Sequence, residues 1–211
     1  MWYKTLRGSM SDNKTYQLGF TAGGLFLREG PSLARLRLEV GGADALRKRI
    51  LSENLLQVRT QSSLKRLCRE VLGRLEQLRE EELHFLSDAT LRDCGYLLWL
   101  AACRRYRFLA DFAVEVLHER FLTLKPNLPE QEFTRFFSEK SQFHTELAEL
   151  SSSTTQKLRQ VLFRMLREAG LLDKACNINP AIPGLKLTEF LRIRREYVYF
   201  PMNPPLQRDV A

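Results

Sequence analysis

Residue types that carry chemistry are scarce in this chain, and those present are poorly spaced for it. The 3 histidines, His84, His118 and His144, are isolated, and none forms the H-x₃-H pair of a metal-binding helix. The 4 cysteines, Cys68, Cys94, Cys103 and Cys176, include no C-x₂-C pair, which excludes the usual zinc frameworks. Cys68 and Cys94 lie among apolar residues at helical spacing, as small buried hydrophobes do. The set fits a reducing cytoplasm better than a disulfide framework. No G-x-x-x-x-G-K-S/T loop, G-x-G-x-x-G or G-x-S-x-G motif occurs, so a nucleotide-phosphate loop and a nucleophile elbow are excluded. Glu80-Glu81-Glu82 is the one carboxylate cluster, and a solvated acidic face accounts for it. Nothing in the spacing brings carboxylates together for two-metal chemistry. The expectation is a chain without catalytic residues, metal ligands or cofactor.

Long apolar runs are missing too. The longest near-continuous one is Tyr96–Cys103, YLLWLAAC, where a membrane-spanning helix needs about 20 residues. There is no secretory signal pattern and no internal repeat. A cytoplasmic protein that does not cross a membrane is expected.

What the chain has is positive charge and helical periodicity. Its 211 residues hold 33 Lys and Arg against 25 Asp and Glu, a net charge of +8, and the pI is about 9.5. A balance of this sign favours polyanionic partners. The length allows one large or two small domains with real cores. Gly8-Ser9 before Met10 resembles a cloning scar, so residues 1–9 are set aside. Without Lys4 and Arg7 the net charge falls from +8 to +6, and the chain stays basic.

The pattern predicts helix after helix. A short helix over Thr21–Glu29 capped by Thr21, a second opened by Pro31 and ending near Val40, and a third from a cap at Asp44 to about Asn54 come first. Gln61–Leu78 puts Leu64, Leu67, Cys68, Val71, Leu72, Leu75 and Leu78 on one face. Glu80–Leu86 is a short acidic helix, and Asp88 is read as the cap of the next. From Thr90 to about Leu124 the pattern is helical, with a break at Arg104-Arg105. Its first half is apolar all round, as a central core helix is. Pro129 opens a helix with Glu130 and Glu132 in its first turn. A short helix near Glu146–Leu150 follows, then one across Ser151–Asp173, capped by Ser152 or Ser153 and stopped by Gly170. Beyond it, Leu185–Leu187 and Tyr197–Phe200 read as short strands, and Thr188–Arg195 as a last helix.

The basic residues gather on these helices. On Ser151–Asp173 the apolar face is Leu158, Val161, Leu162, Met165, Leu166 and Ala169. Lys157, Gln160, Arg164 and Arg167 lie opposite it, with Arg159 on the flank. Cations in the first turns oppose the helix dipole, a conflict that phosphate at the N-terminus would relieve. Between Arg47 and Arg79 the acids are Glu53, Glu70 and Glu76 against many more cations, and Lys65, Arg66 and Arg69 occupy one polar face. Arg104, Arg105 and Arg107 interleave with Tyr106 and Phe108, aromatics read as core. Arg192, Arg194 and Arg195 crowd the last helix. A solvated basic face explains each cluster singly. Their recurrence on amphipathic helices fits phosphate binding, whose strength grows with the number of phosphates neutralised.

The segments GGLFLREG (23–30), NLLQVRTQSSLKRLCREVLGRL (54–75), YLLWLAACRRYRFLADFAVEVLHERFLTLK (96–125) and KLRQVLFRMLREAGLL (157–172) resemble the BrxA family, small all-helical proteins of BREX bacteriophage-defence systems. The resemblance spans about Tyr16 to Leu191 and implies a non-enzymatic component that binds duplex DNA beside other BREX proteins. It supplies no catalytic residue. The binding candidates come from face analysis alone: Lys65, Arg66, Arg69, Arg104, Arg105, Lys157, Arg159, Gln160, Arg164 and Arg167.

The expected fold is mainly α. An N-terminal helical bundle over 10–125 is followed by a C-terminal part over 126–200 and an irregular tail over 201–211. Helices at Pro129–Ser141, Glu146–Leu150 and Thr154–Ala169, then a turn and short strands, follow the order of a winged helix-turn-helix. The other reading makes Ser151–Asp173 one more bundle helix. Two functions compete: a sequence-tolerant binder of double-stranded DNA, and an assembly adaptor whose basic faces meet acidic partner proteins.

Overall fold

The structure, a computed structural model, describes residues 15–205. The segment read as a cloning scar and the end of the tail lie outside those residues. A 3₁₀ turn at Gly19–Thr21 leads into α1 (Gly30–Val40), α2 (Ala43–Glu53), α3 (Gln61–Leu75), α4 (Glu80–Asp88) and α5 (Leu91–Arg105). Then come α6 (Arg107–Phe112), a π-helical segment (Ala113–His118) continuing into α7 (Glu119–Leu122), α8 (Glu130–Ser141), α9 (Thr145–Ala148), α10 (Ser152–Glu168), α11 (Leu185–Ile193) and a 3₁₀ turn at Glu196–Tyr199. No strand occurs among the described residues. Two isolated antiparallel bridges, Asn127 with Asn177 and Leu172 with Ile178, close the chain around the end of α10.

The all-round apolar pattern of YLLWLAAC does what it predicts. Every residue of α5 from Asp93 to Cys103 is buried. Gly95 lets α10 approach α5 closely, because a Cβ there would lie 3.2 Å from the Cα of Ala169 and 3.4 Å from the carbonyl of Glu168. The break at Arg104-Arg105 is present: Tyr106 is extended and separates α5 from α6. Beyond it, Phe108 and Phe112 of α6 meet Phe136 of α8 edge-on, both with ring centroids 5.3 Å apart. Such pairs add about 0.5–1.5 kcal/mol each beyond burial. One apolar core runs from Phe20 through α5 to Phe200.

Helix starts follow local chemistry, with small shifts from expectation. Thr90, not Asp88, caps α5, its Oγ1 accepting from the Asp93 amide at 3.2 Å. Ser151, not Ser152 or Ser153, caps α10, accepting from the Thr154 amide at 3.3 Å. Gly42 precedes α2, and Asp44 sits in its first turn.

Three larger expectations are corrected. The predicted helix over Thr21–Glu29 is a 3₁₀ turn followed by an irregular loop, with left-handed backbone at Gly23 and Phe26. Long-range hydrogen bonds, described below, hold that loop open. The predicted strand at Leu185–Leu187 is the first turn of α11. Leu187, Phe190 and Leu191 are buried at i, i+3 and i+4, the spacing of a helix, and the Gly184 amide donates to Asp93 Oδ1 at 2.9 Å to set its start. The predicted strand at Tyr197–Phe200 falls largely in the last 3₁₀ turn. With no sheet to pair with, it is held by α5, where Trp99 Nε1 donates to the Tyr199 carbonyl at 3.0 Å.

Candidate nucleic-acid interface

The basic residues divide by what their side chains touch. On α3, Thr60 caps the helix by accepting from the Ser63 amide. The apolar face then turns inward, and Lys65, Arg66 and Arg69 stay exposed. None of the three has a hydrogen bond or a carboxylate within ion-pair distance among the described residues.

The α10 cations are more engaged. Lys157 and Gln160 are exposed, with no hydrogen bond or ion pair among the described residues. Arg159 is partly buried and pairs with Glu130 of α8 at 3.2 Å. Arg164 donates to the Gly23 carbonyl and lies 3.7 Å from Glu168. Arg167 lies over the Phe163 ring at 5.9 Å and donates to Cys176 Sγ at 3.3 Å. The end of α10 is thus tied to the Gly23–Leu25 loop, whose Leu25 amide donates to Glu168 Oε2 at 2.6 Å. From the other side Arg74 of α3 donates to the Gly24 carbonyl at 2.6 Å. Adjacent carbonyls of one loop therefore receive arginines from α3 and α10.

The Arg104 side chain is mostly buried and all its donors are bonded. Its Nε donates to Glu196 Oε1 at 2.7 Å, one terminal nitrogen to Glu82 Oε2 at 2.6 Å and to the Gln77 carbonyl at 2.9 Å. The other donates to Glu82 Oε1 at 2.8 Å and Glu196 Oε2 at 2.7 Å. A guanidinium has five N–H donors, so none is left for a phosphate. Burial pushes the Glu82 carboxyl up, but hydrogen bonds from Arg104 and Arg79 outweigh it and hold it down, at about 2.

Arg105, one residue on, points elsewhere. Its Nε donates to the Tyr106 hydroxyl at 3.1 Å, and that hydroxyl donates to Glu70 Oε2 at 2.5 Å. Burial, with the Glu70 bond, pushes the Tyr106 phenol up to about 12. Glu70 Oε1 accepts from Arg74 Nε at 2.7 Å. The terminal nitrogens of Arg105 take no part in this chain. They lie over Gly73, where any Cβ would overlap the guanidinium. They open onto a cleft of about 160 Å³ between α2 and α3, lined also by Arg47 and Arg69. Arg47 was missed by face analysis, because its helix shows no long apolar stripe. The signal was Gly73, a glycine inside a helical pattern, which marks a close approach.

α8, α9 and α10 follow one another in the chain, but the strands expected to form a wing after them are helical, so the described residues contain no wing. The segment after Gly170 is a turn closed by the Leu172–Ile178 bridge. Among the described residues no group of three or more His, Cys, Asp and Glu side chains could hold a metal ion, and no helix is long and apolar enough to cross a membrane.

A protein from Magnetospirillum magneticum whose crystal structure carries no assigned function has the same fold, with a TM-score of 0.75 and 24% identity, covering 88% of this chain and 96% of that one. "BREX protein BrxA" from Escherichia coli O9:H4 (strain HS) is 27% identical over 78% of both chains. The protein of that name from Bacillus cereus (strain H3081.97) is 29% identical over 60% of this chain, a match spanning 64% of the relative's length. The one from Paramagnetospirillum magneticum is 27% identical over 74% of this chain and 79% of the relative. A protein-family model described as BrxA matches residues 14–194, nearly the whole described chain, and the chain therefore belongs to the BrxA family.

Proposed function

We propose that this chain is a non-enzymatic component of a BREX defence system that binds duplex DNA largely through phosphate contacts, in the cytoplasm and alongside other BREX proteins. The observation that carries the reading is the outer face of α3, where Lys65, Arg66 and Arg69 stand exposed with no ion-pair partner among the described residues. Arg104 is outside the interface, since its five donors are occupied. Arg105 belongs to it through the cleft beside α3. Lys157 and Gln160 in the first half of α10 add a second contact, with Arg159, Arg164 and Arg167 supporting it while tied to neighbouring groups. The first turn of α10 has no acidic residue, so its positive end attracts phosphate without competition.

A gel-shift titration with unrelated duplexes at two salt concentrations tests this. Neutralising five or six phosphates gives a slope of log K against log salt of about −5, with similar affinity for each sequence. No binding at low salt, or a flat salt response, assigns the basic faces to acidic partner proteins and makes the chain an assembly adaptor. The purified protein supplied with Mg²⁺, ATP or a methyl donor leaves the DNA uncut, unmethylated and paired. Turnover that survives repurification would overturn the non-enzymatic part.

A further inference from the structure

We infer that the cleft between α2, α3 and the end of α5 is a phosphodiester-binding site. The inference rests on the duplex-binding reading and says where on the N-terminal helices one backbone phosphate sits. Arg47, Arg69 and Arg105 reach the cleft from three different helices. Among the described residues none of the three has a carboxylate within ion-pair distance, whereas Arg35, Arg49, Arg79 and Arg120 each have one. Arg105 is also pre-positioned. The Tyr106–Glu70–Arg74 chain fixes its Nε side, and Gly73 gives its terminal nitrogens room to lie flat on α3. A guanidinium held this way loses little side-chain freedom on meeting an anion.

Charge selects the kind of anion. Asp44 and Glu76 also line the cleft, so three arginines and two carboxylates leave one net positive charge. That balance matches the single charge of a phosphodiester. A terminal phosphate or a triphosphate carries more charge than the cleft can offset, and the two carboxylates repel it. The N-terminus of α2 opens on the same cleft and has no side-chain cap, so its amide dipoles add to the attraction.

The experiment compares Arg47→Gln/Arg69→Gln with a charge-matched control, Arg192→Gln/Arg194→Gln. Both pairs are exposed and both remove two charges. Duplex affinity is read by fluorescence anisotropy at two salt concentrations, with melting curves to confirm folding. The cleft pair is expected to lose at least tenfold and to flatten the salt slope by about 2, while the control loses less than about threefold. The conservative pair Arg47→Lys/Arg69→Lys is expected to retain most of the binding. Equal losses in the cleft and control pairs, or wild-type binding by the cleft pair, overturn the site while the duplex-binding reading stands. Absence of duplex binding by the wild type overturns both. Amide shifts of Gly73 and Ala43 identify the source of the phosphate. They are expected to move on adding duplex and to stay still with millimolar inorganic phosphate. Saturation by inorganic phosphate with no response to duplex assigns the cleft to free phosphate and overturns the phosphodiester assignment.

Discussion

α3 and α10 are both amphipathic helices with basic outer faces, and in sequence they look like equivalent candidates. In the structure they hold their cations differently. Lys65, Arg66 and Arg69 of α3 are exposed and form no hydrogen bond or ion pair among the described residues. Arg159, Arg164 and Arg167 of α10 reach Glu130, the Gly23 carbonyl and Cys176. A cation on a polar face is thus either a contact waiting for a partner or a strut already bonded. Only the neighbouring elements decide which. The same division separates Arg104 from Arg105, which are adjacent in the chain.

The largest effect is expected where a strut carries the most bonds. Arg104→Gln leaves Glu82 and Glu196 facing each other with little compensation, and breaking a buried pair costs about 3–5 kcal/mol. Urea unfolding checks this, and the folded protein should still bind duplex. The same network sets an acid limit. The Glu82 carboxyl is held well below its ordinary value of 4.5, at about 2, so the folded state binds fewer protons there than the unfolded state. The stability from this group is complete above about pH 4.5 and is lost as pH falls toward 2. Glu82→Gln should flatten that part of the stability profile. An unchanged profile would place the acid sensitivity on other groups.

Next in size is the direct comparison of the two faces. Lys65→Gln/Arg66→Gln/Arg69→Gln should weaken duplex binding at least tenfold, about 1.4 kcal/mol, and leave the melting temperature almost unchanged. Lys157→Gln/Arg164→Gln/Arg167→Gln should weaken it less, about threefold, while lowering stability. The reverse order would make α10 the principal contact helix, as in a helix-turn-helix.

The smallest effect sharpens the idea of a strut. Arg164→Gln removes the bond to the Gly23 carbonyl and the ion pair to Glu168. Both are partly exposed, so the loss should be about 1 kcal/mol, seen as a modest shift in the denaturant midpoint. Arg164→Gln should change duplex affinity less than Arg69→Gln does. Equal losses would mean that Arg164 still reaches phosphate despite its bonds.

The helices were legible because their apolar periods are long, Gly41 and Gly170 mark stops and Pro129 marks a start. The buried α5 was legible because YLLWLAAC has no polar side. The Gly23–Leu25 loop was not. Its residues carry no local instruction against a helix strong enough to outweigh the apolar run, and the groups that hold it open come from Arg74, Arg164 and Glu168. Leu185–Leu187 and Tyr197–Phe200 differ for a similar reason: β propensity is expressed only where a neighbouring strand exists, and the described residues offer none. At the candidate interface the sequence located basic faces but could not separate Arg104 from Arg105. That distinction depends on Glu82 and Glu196, one from α4 and one from near the end of the described chain.

The Gly23–Leu25 loop also orders events in time. Its bonds to Arg164 and Glu168 close over 141 and 143 residues, and loop closure of that length costs entropy before any contact rewards it. On the ribosome the loop is made early and waits until α10 has emerged. Until then the bundle around α5 lacks the clasp that joins the Gly23–Leu25 loop to α10. Closure of this clasp therefore waits for α10, long after the loop itself is made.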